Sequence, residues 1–172
     1  MNTRDRQQTR DEAYWMDKAL REAEKAAVRG EVPIGAVIVK AGAVIGRGYN
    51  LREGKNDPSA HAEMIAIRQA ARRLDNWRLS GAVLYVTLEP CLMCMGAIIL
   101  ARLDRVVFGC YDPKGGAAGS LYDLSADRRL NHRVALTPRV REEECSAILS
   151  GFFAALRTRK KRVTAGSPDT SA

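Results

Sequence analysis

The sequence lacks several features that would assign it to other classes of protein. Its first ten residues are polar and contain no apolar stretch of the kind found in secretory signals. No apolar run approaches the roughly 20 residues that a membrane-spanning helix needs. The chain has four cysteines, two in a CxxC pair and two in apolar stretches, which is not a disulfide framework. These absences predict a protein of the reducing cytoplasm with no membrane partner.

Length and net charge further limit the classes of protein to which the chain can belong. A chain of 172 residues, 46% of them hydrophobic, has room for one domain with its own core. The net charge is +8, and residues 151–172 hold five lysines and arginines against one aspartate. A polyanion such as nucleic acid is the expected partner of such a chain. The alternative is a solvated basic tail that only improves solubility.

Apolar periodicity and turn residues predict a series of short elements. Helices are expected over residues 14–29, 61–74 and 90–101 and from about residue 141, and strands over 35–40, 43–49, 83–88, 105–110 and 134–137. Ala41-Gly42 reads as a hairpin turn, and Asp57-Pro58-Ser59 and Pro90 as helix starts. This order predicts an α/β fold, a three-layer α/β/α sandwich around a central mixed five-stranded sheet.

The same patterns predict the limits of the domain. Residues 1–13 form a polar extension, residues 14–158 the domain, and residues 159–172 a basic and then disordered tail, with disorder beyond Arg162. The inward face of the last helix is expected to consist of apolar residues at helical spacing. They are Cys145, Ile148, Leu149, Phe152 and Leu156. Cys110 and Cys145 are expected in the core, and His132 in a structural role.

Two short motifs together indicate a catalytic metal site. They are His61-Ala62-Glu63 and, thirty residues on, Pro90-Cys91-Leu92-Met93-Cys94. One imidazole and two thiolates give zinc three protein ligands, whereas structural sites normally have four and catalytic sites leave a position for water. Glu63 is placed to accept a proton from that water. The alternatives are a structural zinc site and a thioredoxin-like redox pair, although the latter makes no use of His61 and Glu63.

These motifs carry a resemblance to a known family. H-x-E followed by P-C-x-x-C is the signature of the zinc-dependent nucleobase deaminases. Further similarity to the tRNA adenosine deaminase branch extends from about Tyr14 to Phe153. The blocks that carry it are residues 31–37, 56–63, 85–91, 105–109, 116–120 and 131–134. The resemblance implies a cytidine deaminase-like fold.

The resemblance also implies a reaction and its cofactor. One Zn²⁺ per subunit, bound by His61, Cys91 and Cys94, would carry the hydroxide that attacks C6 of adenine, with Glu63 as the proton shuttle. The product is inosine at the wobble position of a tRNA anticodon loop. Enzymes of this branch are homodimers, so the resemblance implies a homodimer here.

Several residues match positions that contact the substrate in this family. They are Pro33, Ile34, Asn50, Asp112, Lys114, Asn131 and Phe153. Each has a structural alternative: Asn50 as a turn residue, Asp112 and Lys114 as part of the turn at Asp112-Pro113, and Asn131 as a loop cap. For Pro33, Ile34 and Phe153 the alternative is a place in the core. One feature departs from the family pattern, because Ala154-Ala155-Leu156 separate Phe153 from the basic cluster.

Two other functions share parts of these patterns. A deaminase of free bases or nucleosides needs the same metal site but no basic surface. A zinc-stabilised RNA-binding module without catalysis needs a fourth ligand on the metal. ATP binding is excluded, because Gly115-Gly116 lacks the Gly-Lys-Ser/Thr of a phosphate-binding loop.

Overall fold

The computed structural model describes the backbone of residues 3–165 and the side chains of residues 12–159. The helices are α1 (Thr3–Val28), α2 (Arg52–Lys55), α3 (Ala62–Leu74), α4 (Leu92–Leu100) and α5 (Glu142–Ala165). The strands are β1 (Gly35–Lys40), β2 (Ala43–Tyr49), β3 (Ala82–Leu88), β4 (Arg105–Cys110) and β5 (Ala135–Thr137). No helix within the described part of the chain combines the length and apolar character that crossing a bilayer requires.

The five strands form one mixed sheet in the order β2-β1-β3-β4-β5. Strand β1 is antiparallel to both β2 and β3, whereas β3, β4 and β5 are parallel. Ala41 and Gly42 join β1 to β2 with φ angles of 49° and 72°, the left-handed conformation that matches the twist of a hairpin. The predicted hairpin, the parallel later strands and the mixed five-stranded sheet are confirmed.

Each face of the sheet is covered by helices. Because strand residues alternate between the two faces, Val37 packs with Met16 of α1 and Cys145 of α5, while Ile38 lies in the other core. That second core contains buried residues of α3 and α4, including Ala66 and Met95. The predicted three-layer sandwich is therefore confirmed.

Two glycines bring α3 close to β2. A Cβ atom at Gly46 would lie 2.3 Å from the carbonyl oxygen of Ala66, and one at Gly48 would lie 2.1 Å from that of Ala62. A side chain at either position would push the helix away from the sheet, so the absence of Cβ atoms sets the helix–sheet distance. This contact fixes the start of α3, where two of the predicted site residues lie.

The starts of α3 and α4 differ from prediction by one and two residues. Helix α3 begins at Ala62 with His61 as its N-cap, because Asp57 instead accepts hydrogen bonds from the N–H and hydroxyl of Ser59, at 2.8 and 2.7 Å. Helix α4 begins at Leu92 with Cys91 as its N-cap, so Pro90 precedes the helix. In both cases the N-cap is a predicted metal ligand with an extended backbone.

The terminal helices are longer than predicted. Helix α1 starts at Thr3 rather than Tyr14, and α5 continues to Ala165, past the expected start of disorder. Residues 166–172 of the predicted tail lie outside the described residues. A helix of 24 residues is about 36 Å long and extends beyond the strand that it covers. Leu156 is consequently 43% exposed, so its expected place on the inward face was wrong, whereas Cys145 is fully buried as predicted.

Candidate active site

The starts of α3 and α4 bring the three predicted metal ligands together. His61 is the N-cap of α3 and Cys91 the N-cap of α4, with Cys94 in the first turn of α4. The Nδ1 atom of His61 lies 3.7 Å from the Sγ of Cys91 and 3.6 Å from the Sγ of Cys94. All three ligand atoms lie within 4.8 Å of one another.

This donor set fits a zinc ion. Tetrahedral zinc with Zn–S bonds of about 2.3 Å and Zn–N bonds of about 2.0–2.1 Å separates an imidazole nitrogen from a thiolate sulfur by roughly 3.6 Å. The two nitrogen–sulfur distances agree with that separation. Within the described residues, no further His, Cys, Asp or Glu joins the cluster. Three ligands and one remaining position are the composition of a catalytic zinc site rather than a structural one.

The cluster already holds one thiolate in the metal-free protein. A hydrogen bond from the Cys94 thiol and a second interaction with His61 lower the pKa of Cys91 to about 4. The same hydrogen bond, together with burial, raises the pKa of Cys94. The hydrogen bond to Cys91 raises the pKa of His61. Zinc ligands must be deprotonated, so metal binding here would release the proton of the Cys94 thiol.

Glu63 lies beside this cluster and is only 4% exposed. It belongs to the first turn of α3, two residues after His61. Burial of its carboxyl group is the main cause of the raised pKa of Glu63. A buried carboxyl group next to an open metal position is suited to accept and return a proton.

A cleft of about 680 Å³ opens above the cluster. Eight of the residues that line it were predicted from the sequence: Ile34, Asn50, His61, Glu63, Cys91, Asp112, Lys114 and Phe153. Sequence reasoning missed the remaining lining residues, which are Val32, Arg52, Leu88, Glu89, Leu149, Ser150 and Arg157. The cleft therefore combines apolar walls with three carboxyl groups and three basic side chains.

Two predicted substrate residues have further contacts that bear on their roles. Asn50 is 3% exposed, and its Nδ2 donates to Glu31, at 3.5 Å. The buried carboxylate of Glu31 also accepts the backbone N–H groups of Glu53 and Gly54, at 3.2 and 2.7 Å. The Oδ1 of Asp112 accepts the N–H of Lys114 at 3.0 Å. Asp112 and Lys114 therefore form the expected turn and also line the cleft.

Three of the predicted site residues do not line the cleft. Cys94 is fully buried beneath the cleft, as a ligand rather than a lining residue. Pro33 is buried and does not line the cleft. Asn131 is exposed and accepts a hydrogen bond from Arg102, at 2.9 Å, outside the cleft. His132 donates its Nε2 hydrogen to the carbonyl of Leu103 at 2.7 Å, consistent with the predicted structural role.

Comparison with known proteins identifies relatives over most of the chain. Residues 10–157 match the MafB19-like deaminase family. The chain is 53% identical over 153 residues to the tRNA-specific adenosine deaminase of Bacillus subtilis strain 168, covering 89% of this chain and 94% of that protein. It is 49% identical over 147 residues to the tRNA-specific adenosine deaminase of Haemophilus influenzae, covering 85% of each chain.

Solved structures share the fold. One comes from a study of A-to-I editing by tRNA:A34 deaminases at the wobble position of transfer RNA; its TM-score is 0.76 at 46% identity, covering 79% of this chain and 99% of that one. A guanine deaminase from Bacillus subtilis gives a TM-score of 0.55 at 38% identity, covering 64% and 66%. The fold, the ligand cluster and these matches define an enzyme of the deaminase class. The chain belongs to the deaminase family, in the branch of the tRNA-specific adenosine deaminases.

Proposed function

We propose that this protein hydrolytically deaminates adenosine to inosine at the wobble position of a tRNA anticodon loop. The observation that carries the proposal is the His61, Cys91 and Cys94 cluster with Glu63 buried beside it, at the base of a cleft. The relatives that are 53% and 49% identical support tRNA adenosine as the substrate.

The chemistry divides between a metal and one carboxyl group. Bound Zn²⁺ supplies the Lewis acidity that lets a water molecule act as a nucleophile near neutral pH. Glu63 accepts a proton from that water and delivers it to N1 of the adenine, as C6 is attacked. The same carboxyl group then takes the proton of the new hydroxyl group at C6 and gives it to the amino group, so that the C6–N bond breaks and ammonia leaves. The raised pKa of Glu63 suits a group that must hold the proton between these steps.

The cleft has the properties of a pocket for an extruded purine. Val32, Ile34 and Leu88 supply apolar walls, and the amide of Asn50 is a polar group in the same lining. A base in an unpaired loop can enter such a pocket at lower cost than one in a duplex. Basic side chains in the cleft, among them Arg52 and Lys114, are suited to the phosphates that flank the base.

We further propose that the enzyme works in the cytoplasm as a homodimer with one zinc ion per subunit. Helix α4 leaves Leu92, Met93 and Leu100 exposed by 48%, 37% and 68%, and exposed apolar side chains on one helix favour association. Four free cysteines are consistent with a reducing compartment. Sedimentation equilibrium tests the dimer.

A second candidate function is deamination of a free purine base. The guanine deaminase that is 38% identical to the chain supports this candidate. It predicts turnover of guanine or free nucleosides that does not depend on ionic strength. The tRNA reaction should instead weaken steeply as salt rises, because phosphate contacts displace counterions.

One experiment separates these functions. Zinc-loaded protein is incubated with a transcribed tRNA that carries adenosine at the wobble position, and inosine is read by sequencing. The matched control tRNA carries guanosine at that position, and parallel reactions contain free adenosine and guanine. Inosine at the wobble position alone supports the proposal. Ammonia release from guanine alone would assign the second function, and no ammonia from any substrate would leave a non-catalytic RNA-binding protein.

A further inference from the structure

Glu89 is a buried carboxylate that follows β3 directly and precedes the metal-binding motif. It is 2% exposed and lies outside the metal-ligand cluster. Its Oε1 accepts the N–H groups of Ala118 and Ser120, both at 2.9 Å. Its Oε2 accepts the N–H of Asp112 at 2.9 Å and the hydroxyl of Ser120. All of these donors belong to the loop after β4, so one side chain binds both ends of residues 112–120.

Because the Glu89 carboxylate is buried, the loop of residues 112–120 must keep its conformation. A buried carboxylate is costly unless its lone pairs are satisfied. Among the side chains of residues 12–159, none forms a salt bridge with Glu89 within 4.0 Å, so hydrogen-bond donors of the loop balance its charge. Hydrogen bonds to a charged acceptor are stronger than hydrogen bonds between neutral groups. Any movement of the loop away from Glu89 therefore leaves a charge without partners.

The two ends of the loop have different functions. At one end, Asp112 and Lys114 line the substrate cleft. At the other, the N–H of Ala117 donates to the carbonyl of Pro90 at 2.9 Å, and Gly116 pairs with the metal ligand Cys91. This second end is joined to the metal-binding segment by backbone contacts that do not involve the Glu89 side chain. The carboxylate is thus most important for the end that faces the substrate.

We propose that Glu89 is a positioning residue for substrate binding, which holds the Asp112–Lys114 segment in place at the edge of the cleft. This inference rests on the proposed function in taking tRNA as the substrate. It assigns to Glu89 an effect on RNA binding, separate from metal binding and from proton transfer by Glu63.

Glu89→Gln is the first test, because hydrogen-bond chemistry predicts its orientation. The amide NH₂ group cannot face the N–H groups of Ala118 and Ser120, so it takes the place of Oε2. The Ser120 hydroxyl can rotate to accept from it, whereas the N–H of Asp112 loses its acceptor. Amide exchange followed by NMR should therefore accelerate at Asp112 and stay slow at Ala118 and Ser120.

The kinetic consequence is a change in KM. We expect KM for the tRNA to rise about tenfold, the effect of one buried hydrogen bond to a charged group, with kcat within about twofold and zinc content unchanged. A rise in KM at constant kcat indicates lost binding rather than lost chemistry. The matched control is Glu22→Gln, a buried carboxylate of α1 that is paired with Lys25; it should lower the melting temperature without changing KM.

Gly116→Ala provides a second variant that leaves Glu89 in place. A Cβ atom at Gly116 would lie 2.2 Å from the Glu89 carboxylate. Its three nearest atoms would all belong to that carboxylate. The substitution should raise KM in the wild-type background and add little in a Glu89→Ala background. Additive effects of the two substitutions would overturn the proposal.

The remaining outcomes are equally decisive. A Glu89→Gln protein that keeps its KM, or that loses zinc, would overturn the positioning role. Slow exchange at Asp112 in that variant would do the same. Amide hydrogen exchange is measured without substrate, so it tests the contact between Glu89 and its loop independently of the reaction. Wild-type protein that fails to deaminate tRNA would overturn the proposed function. It would leave the contact between Glu89 and its loop established.

Discussion

The Sγ of Cys94 lies 3.6 Å from the Nδ1 of His61, although 33 residues separate them in the sequence. His61 caps α3 and Cys94 lies in the first turn of α4, and both helices pack on the same face of the sheet. The metal site consequently depends on two helix starts that the sheet holds side by side. Loss of one ligand leaves the other two in place, so metal affinity should respond more strongly than the fold.

Cys94→Ala is expected to remove zinc from the folded protein. Two ligands in place of three should weaken metal binding by more than about 100-fold, and deamination should disappear with the metal. Elemental analysis after dialysis measures the zinc content, and circular dichroism checks the fold. Cys110→Ala is the control, because Cys110 is also buried but lies outside the cluster; that variant should retain one zinc ion per chain. Full zinc content in Cys94→Ala would contradict the assigned ligand set.

Glu63→Gln should separate metal binding from chemistry. The amide has nearly the same shape but cannot accept the proton, so kcat should fall by about 10²–10⁴-fold while zinc content stays the same. Single-turnover reactions with saturating tRNA measure the chemical step. Glu22→Gln again provides a buried acid outside the cleft as the control. Near-normal turnover in Glu63→Gln would remove this residue from proton transfer.

The metal-free protein should contain one unusually acidic thiol. The pKa of Cys91 is about 4, below the ordinary thiol value, so its thiolate persists at pH 6 and is lost only as the pH falls through about 4. Because the pKa is depressed in the folded state, this ionisation stabilises the metal-free fold fully above the ordinary thiol pKa of about 8.5. The stabilisation is lost progressively as the pH falls from there to about 4. Brief alkylation of chelator-treated protein at pH 6, followed by mass spectrometry, should modify Cys91 in preference to Cys110.

Zinc-loaded protein serves as the control for the alkylation experiment. Coordination should protect Cys91 from the reagent at the same pH, because the sulfur lone pair is engaged by the metal. Cys94 should react slowly in both forms, since its pKa is raised and its side chain is buried. Reaction of Cys91 only above pH 8 in the metal-free form would contradict the shifted pKa.

The ligand set could be predicted from the sequence because its residue types and spacing are determined by coordination chemistry. His61, Cys91 and Cys94 are found in one cluster as expected, and the strands that carry the site were predicted to within about one residue. The caps were not, because Asp57 and Pro90 satisfy general helix-start preferences while the observed caps are the ligands themselves. Local helix-start preferences could not show that the metal ligands themselves are the N-caps.

Two buried carboxylates were also not predicted: Glu89, which lines the cleft, and Glu31, which is bonded to the lining residue Asn50. Glu31 accepts hydrogen bonds from a segment 22 and 23 residues away, and Glu89 from one that is 23 to 31 residues away. Nothing in the local sequence distinguishes either glutamate from a solvated one, because most of their donors are backbone N–H groups of distant segments. These segments are α2 for Glu31 and the loop after β4 for Glu89. Only the three-dimensional fold shows which acids are buried.

Gly48→Ala should destabilise the protein through the contact between β2 and α3. The new methyl group would overlap the carbonyl of Ala62, so we expect a loss of about 1–3 kcal/mol in the free energy of unfolding. Chemical denaturation measures that loss. Gly151→Ala in α5 is the matched control, because its Cβ would meet no atom within 4 Å; there the higher helix propensity of alanine should stabilise the protein by about 0.4–1 kcal/mol. Equal effects of the two substitutions would contradict the close approach.

The adjacent phenylalanines of α5 should have separable functions. Phe153 is 43% exposed and lines the cleft, whereas Phe152 is half-buried and packs against its ring with centroids 5.6 Å apart. Phe153→Ala should raise KM for tRNA about tenfold with little change in melting temperature, because stacking of one base on an aromatic ring contributes about 1–3 kcal/mol. Phe152→Ala should instead lower the melting temperature. Phe153→Tyr retains the stacking surface and should preserve KM, so a large rise in that variant would show that stacking is not the interaction that Phe153 supplies.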